Sequence, residues 1–267
     1  MEKNSFDKIK DGDIVLDSDK LSYHYDRVKE WENGNKIAPI TVDMALTRAC
    51  GAMCSFCYAM VQEPQERKNI TIKDALNLAD DFKEIGVKGV SLVSDGESTL
   101  SKAYVPFIEH ASNIGLDVAN ATNGWQLNEE KIEKILPNLK YIRFTVGGGT
   151  PHGYSKIMYK DENQTKVFDN AIKNIKYCVY LKNKYKLECT IGTQMVLMPE
   201  FKNEIIPFAK LSRELGVDYG VIKHCSDDEN QSLGVDYSKY KELKDELIKA
   251  ESLSNDETLI KVKWEKI

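Results

Sequence analysis

From about residue 38 onward, short apolar runs alternate with longer segments whose apolar positions recur every three or four residues. Runs of the first kind predict strands covered on both faces, and segments of the second kind predict helices with one buried stripe. The strand-like runs are Ile40 to Leu46, Val90 to Val93, Leu116 to Ala121, Tyr141 to Val146, Cys189 to Leu197 and Val217 to Lys223. The first helical stripe is Ile72, Ala75, Leu76, Ala79, Phe82 and Ile85, opened by Thr71 and closed by Gly86. Thr71 followed three residues later by Asp74 resembles a capping box. Further helices are expected at Lys102 to Asn113, Asn128 to Ile135 and Asn203 to Leu215, and a long one carries Val167, Phe168, Ala171, Ile172, Ile175, Cys178 and Val179 on one stripe.

Strand and helix alternating in this way predict a parallel sheet, and right-handed crossovers bring every post-strand loop to one rim. Six repeats are too few to close an eight-fold barrel. The expected class is therefore α/β, a partial (βα)6 TIM-type barrel with short N-terminal and C-terminal extensions. Residues 1–37 read as the first extension, with a short helix near Tyr23 to Glu32. Residues 38–235 form the core. Residues 236–267 carry a polar helix, then Leu259 to Trp264, which alternates like an edge strand. With no linker rich in Pro, Gly or Ser, a single domain is expected.

Composition narrows the functions. The chain has 267 residues, of which 42% are hydrophobic and 30% charged, enough to build a sizeable core. A net charge of −5 argues against general nucleic-acid binding, while leaving room for a small anionic substrate in a locally basic pocket. No segment approaches the ~18 consecutive apolar residues of a membrane span, and the polar start Met1 to Lys8 lacks the apolar stretch of a signal peptide. A cytoplasmic protein is expected, with its six cysteines reduced, so metal binding or catalysis outranks a disulfide framework.

Three of those cysteines lie together. Cys50, Cys54 and Cys57 form a C-x3-C-x2-C cluster just after the first predicted strand, in the first loop of the expected rim. Three thiolates so close in sequence can hold three irons of a [4Fe–4S] cluster and leave the fourth open to another ligand. The competing reading is a zinc site, which usually takes four protein ligands in paired C-x2-C knuckles. Cys178, Cys189 and Cys225 are isolated, so a zinc site would need a distant histidine.

The cysteine motif, with Phe56 before its last member, resembles that of the radical S-adenosylmethionine (radical SAM) superfamily. Further motifs follow in order. Asp95-Gly96-Glu97-Ser98 after the second strand is similar to the family's Gly-Gly-Glu-Pro and matches it at Gly96 and Glu97. Thr122-Asn123-Gly124 ends the third strand, as Thr-Asn-Gly often does there. Arg143 to Gly147 resembles Arg-x-Ser-x-Asp on the fourth strand, with Gly147 in place of the acid. The similarity spans roughly residues 38–225.

The resemblance implies a [4Fe–4S] cluster on Cys50, Cys54 and Cys57, and SAM chelated to the open iron. Reductive cleavage would give a 5′-deoxyadenosyl radical that abstracts hydrogen from a substrate: a small molecule, a sugar or a peptide. A reductant such as flavodoxin or ferredoxin is implied. Glu97 would accept the SAM ammonium, and Gly96 would let the backbone approach the ligand. Asn123 belongs to the same expected cofactor site. Phe56 and Tyr58 either flank the cluster and adenine or cover an apolar corner. Thr145 and Gln194 either meet the ribose or are satisfied polar residues inside the barrel. The glycines at 147–149 lack phosphate-loop spacing and read as a flexible loop. Lys223, His224 and Cys225 read as an ordinary loop, and Cys178 and Cys189 as packing residues.

Many members of the family carry a C-terminal cysteine-rich extension for auxiliary clusters. No such set follows Cys225, so either a minimal core enzyme or part of a longer protein is expected. The alternative to an enzyme is a non-catalytic iron–sulfur or zinc-binding scaffold or sensor. A SAM methyltransferase would need a Gly-rich loop where the cysteines lie.

Overall fold

The structure, a computed structural model, describes residues 21–57, 59 and 69–264. It divides into two units, Met1–Pro39 and Ile40–Ile267. Residues 1–20, including the polar start of the chain, lie outside the described residues. In the first unit a 3-10 turn, Leu21–His24, leads into helix α1, Tyr25–Glu32. Arg27 there donates to the Ala38 carbonyl at 2.7 Å.

The second unit is built on one sheet of seven parallel strands in sequence order. They are β1 (Thr41–Asp43), β2 (Gly89–Leu92), β3 (Asp117–Thr122), β4 (Tyr141–Thr145), β5 (Thr190–Leu197), β6 (Tyr219–His224) and β7 (Leu259–Val262). The sheet stays open, with β1 and β7 at its edges, the arrangement expected of a partial TIM-type barrel. The terminal alternating run thus becomes a seventh parallel strand beside β6.

The helices are α2 (Ile72–Glu84), α3 (Tyr104–Asn113), α4 (Glu129–Ile135), α5 (Pro151–Tyr159), α6 (Thr165–Tyr185), α7 (Ile205–Leu215) and α8 (Lys244–Glu251). Thr71 caps α2 by accepting from the Asp74 amide at 3.1 Å, and Asn128 caps α4 by accepting from Lys131. In both, a side-chain oxygen satisfies an amide that has no partner within the helix.

Helix α5 is absent from the sequence reading, which placed a flexible loop at 147–149. Its start is nonetheless written locally: Thr150 accepts from the Gly153 amide, and Pro151 fills the first helical position. The preceding glycines pack rather than hang free. A Cβ on Gly149 would sit 2.0 Å from the Pro207 carbonyl carbon, and one on Gly153 would sit 2.1 Å from the Glu204 carboxyl. Glu204 also accepts from the Thr150 amide and hydroxyl. These glycines let α5 lie directly against the start of α7.

Strand alternation sorts the side chains. Ile142, Phe144 and Val146 are fully buried in the core shared with the helices. Tyr141, Arg143 and Thr145 alternate with them and are only half-buried. They line the inner, lumen face of the open barrel.

Candidate active site

The rim loops meet through main-chain bonds. The loop after β1 carries the three cysteines, and its Ala49 carbonyl accepts from the Glu97 amide of the loop after β2 at 2.8 Å. Gly96 permits this contact: its φ is +72°, and a Cβ there would fall 2.2 Å from the Thr47 carbonyl oxygen. The close approach that Gly96 allows is therefore to the chain's own cysteine loop. Arg48 and Asp95 add an ion pair at 3.0 Å between the two loops.

The same cysteine loop hooks onto α5. Met53 and Ser55 amides donate to the carbonyls of Met158 and Ile157, at 2.9 and 2.8 Å. Those carbonyls lie in the last turn of α5, where no amide of the same helix is available. On the other side Gly51 lies against Trp125, whose ring a Cβ would approach to 3.0 Å. Cys57 closes the Cys54–Cys57 turn by donating to the Cys54 carbonyl at 3.1 Å.

All three thiols are free, with Cys50 exposed and Cys54 and Cys57 half-buried. Burial is the largest influence raising Cys54, and the charges of Cys57, Cys50 and Glu97 add to it. Cys50 keeps an exposed surface, yet partial desolvation of its thiol is the largest influence raising it; the Ala52 amide opposes, and Glu97 and Cys57 add to the rise. The thiols therefore sense one another, yet among the described residues no three His, Cys, Asp or Glu side chains gather closely enough for a single ion. A cubane takes one thiolate per iron and needs no such convergence, so this donor set fits a [4Fe–4S] cluster.

Glu97 is buried and heavily wired. Its Oε1 accepts from the Thr99 amide and hydroxyl and from the Thr122 hydroxyl, and its Oε2 from the Asn123 amide at 2.8 Å. Burial pushes its pKa up, against the lowering effect of those same bonds from Asn123, Thr122 and Thr99. Oε2, with one partner, keeps accepting capacity for a cation. Asn123 is also buried, and its side-chain Oδ1 lacks a hydrogen-bond partner, as does the Trp125 indole nitrogen. Thr145 and Gln194 are paired in register on β4 and β5. Phe56 packs against the core, and Tyr58 lies outside the described residues.

Several partners were not found in the sequence. Asn174 of α6 donates to the carbonyls of Gly124 and Leu127, both at 2.8 Å, and so pins the loop that follows Asn123. Nothing local marks it, because its partners lie about fifty residues away. Gly147, standing where the family motif has an acid, has no room for one: a Cβ would meet Ile157 at 2.7 Å and Met158 at 3.0 Å. Lys223 lies on β6 as the strand reading expected, and the ordinary loop expected after it is corrected. Lys223 and His224 end β6, His224 packs against Tyr237 and Tyr240, and Cys225 is buried with its thiol 3.8 Å from the Phe56 carbonyl. Cys178 and Cys189 are buried in the core, as expected.

Comparison with known proteins decides the family. The model of the Radical SAM superfamily matches residues 44–211, more than half of the chain. The chain belongs to the radical SAM superfamily. It is thus an enzyme of the kind that uses a [4Fe–4S] cluster and SAM. Fe-coproporphyrin III synthase of Methanosarcina barkeri is 27% identical over 151 residues, 57% of this chain and 37% of that protein. PqqA peptide cyclase of Bradyrhizobium diazoefficiens is 29% identical over 97 residues, 36% of this chain and 25% of that protein.

Among solved structures, Streptococcus suis SuiB bound to S-adenosylmethionine superposes with a TM-score of 0.66 at 16% identity, covering 91% of this chain and 55% of that one. The form bound to precursor peptide SuiA gives 0.64 at 17% identity, covering 96% and 58%. At such identities the superpositions show the shared fold. The radical SAM chain spans well under half the length of these curated relatives and just over half of SuiB.

Proposed function

We propose that this radical SAM chain holds its cluster on Cys50, Cys54 and Cys57 and binds SAM between the cysteine loop and the ends of β2 to β5. The observation that carries this reading is the bridge from the Glu97 amide to Ala49, which fixes a buried carboxylate beside the cysteine loop. Glu97 Oε2 accepts the ammonium of SAM, and the incoming cation favours the ionised carboxylate that burial disfavours. Asn123 Oδ1 accepts a donor from the same ligand. Thr145 and Gln194, side by side at the top of the lumen, meet the ribose hydroxyls. Phe56 flanks the cluster and adenine, and Gly96 keeps the two loops in contact.

The cofactor pair supplies reductive cleavage of SAM to a 5′-deoxyadenosyl radical, which takes hydrogen from the substrate. The chain's part is to orient SAM and to exclude water from the lumen, which protects a reactive intermediate. The names PqqA peptide cyclase and SuiB with its precursor peptide support a peptide substrate over a sugar or free metabolite. We place the reaction in the cytoplasm, with a flavodoxin or ferredoxin as reductant. Among the described residues no helix is long and apolar enough to cross a membrane.

The test is anaerobic incubation of the reconstituted protein with dithionite and SAM. Formation of 5′-deoxyadenosine and methionine, lost in the Cys50→Ala, Cys54→Ala and Cys57→Ala variants, is expected. A metal-loaded protein that makes neither product would be a scaffold, and the proposal would fail.

A further inference from the structure

We propose that the guanidinium of Arg143 anchors an oxyanion of the substrate, a carboxylate or a phosphate, inside the barrel. Arg143 occupies a lumen position in the middle of β4, in register with Ala121 of β3 and Gly192 of β5. Those neighbours carry the two smallest side chains, so the long arginine has little beside it from the flanking strands. The space over Gly192 is taken by Tyr219, whose ring atoms lie 2.2 to 2.6 Å from where a Cβ would stand. That placement turns the Tyr219 phenol toward Arg143. Burial pushes this phenol up to about 12, and Arg143 is the largest influence pulling it back down.

Among the described residues no counter-ion accompanies this charge. Among the described residues the ion pairs join other cations, and no carboxylate pairs with Arg143. Its Nε is buried and makes no hydrogen bond. The positions above and below it on the lumen face of β4 are Thr145 and Tyr141, neither of them acidic. A guanidinium stays charged at any physiological pH, so it cannot relieve its burial by losing a proton. Half-buried cations without partners are costly, and their ordinary resolution is an anion. The planar fork suits a two-oxygen acceptor that bonds through both arms.

The depth fits the chemistry. Arg143 lies two residues below Thr145, roughly 7 Å toward the floor of the barrel. An acid held there by its anionic end would extend toward the rim, where Thr145 and Gln194 face the SAM site. The inference deepens the radical SAM reading by giving the substrate class of that same site. The anion site itself stands on Arg143 and can be measured without any turnover.

The test uses the full chain, with its cluster assembled and oxidised and its arginines labelled with nitrogen-15. The Nε–H resonances are followed while sodium acetate, inorganic phosphate or sodium chloride is added at matched ionic strength. One resonance, absent from Arg143→Lys and Arg143→Gln, is expected to shift saturably with acetate or phosphate and not with chloride. A response to phosphate alone assigns a phosphorylated substrate, and a response to acetate assigns a carboxylate. Site occupancy in Arg143→Lys, followed on the neighbouring Tyr219 ring, should need about tenfold more anion, the loss of one arm of the fork. The inference is overturned if chloride acts as the oxyanions do, if no arginine responds, or if the responding resonance persists in Arg143→Gln.

Discussion

The two faces of β4 divide the labour of the molecule. On the helix side Ile142, Phe144 and Val146 are sealed into the hydrophobic core. On the lumen side, one residue out of step, Tyr141, Arg143 and Thr145 are half-buried, and Arg143 has an unsatisfied nitrogen. One strand thus supplies folding energy on one face and unfinished polar chemistry on the other. Stability and function are separable here because a strand alternates its side chains residue by residue.

The sharpest way to break that comparison is to cut adjacent residues. Phe144→Ala should cost about 3 to 5 kcal/mol, since its ring fills the space that Gly124 leaves open, 2.6 Å from where a Cβ would sit. Thr145→Val should cost below about 1 kcal/mol and instead weaken SAM binding. Urea denaturation and equilibrium dialysis with SAM measure the two. Equal losses of stability would abolish the distinction between the faces.

The same contrast separates two glycine-rich turns. Gly149→Ala drives a methyl group into the backbone of α7 and should lower the urea midpoint strongly, with no specific effect on iron binding. Gly96→Ala adds left-handed strain and pushes on Thr47 and Arg48, so iron bound per chain should fall while the helices remain. Circular dichroism and iron analysis read both. A Gly96 variant with full iron would show that the cysteine loop does not depend on this contact.

A smaller effect concerns Glu97. Its folded pKa is raised by burial, so the cofactor-free protein holds a proton that the unfolded chain has already lost. Folding stability should therefore fall as pH rises from the ordinary carboxylate range, about 4, through the raised value. Glu97→Gln should flatten that slope, and SAM should do the same in the wild type by compensating the charge. Urea midpoints across this range check the sign, and a slope unchanged in the variant would place the titration elsewhere.

The sheet was legible because its strands are apolar runs with few polar interruptions, and the cysteines because their spacing is local. Strand β1 is shorter than the run Ile40 to Leu46 because, after Met44 pairs with Ser91, Leu46 turns away to accept from Ile70. Helix α5 was hidden behind three glycines that pack against α5 itself, Glu204 and, at Gly149, α7, contacts that no local pattern announces. The bonds from Asn174, the hold of Thr122 on Glu97 and the burial of Cys225 near Phe56 all join residues at least twenty-five positions apart. Periodicity finds elements and spacing finds ligands, but neither finds what a fold brings together.

The central claim is that three thiols which do not meet at one ion carry a cubane with one iron open to SAM. Anaerobic iron and sulfide analysis with electron paramagnetic resonance of the reduced protein, with and without SAM, tests it directly. The account predicts about four irons and four sulfides per chain and a signal that SAM perturbs. One zinc per chain, or a cluster signal indifferent to SAM, would contradict it.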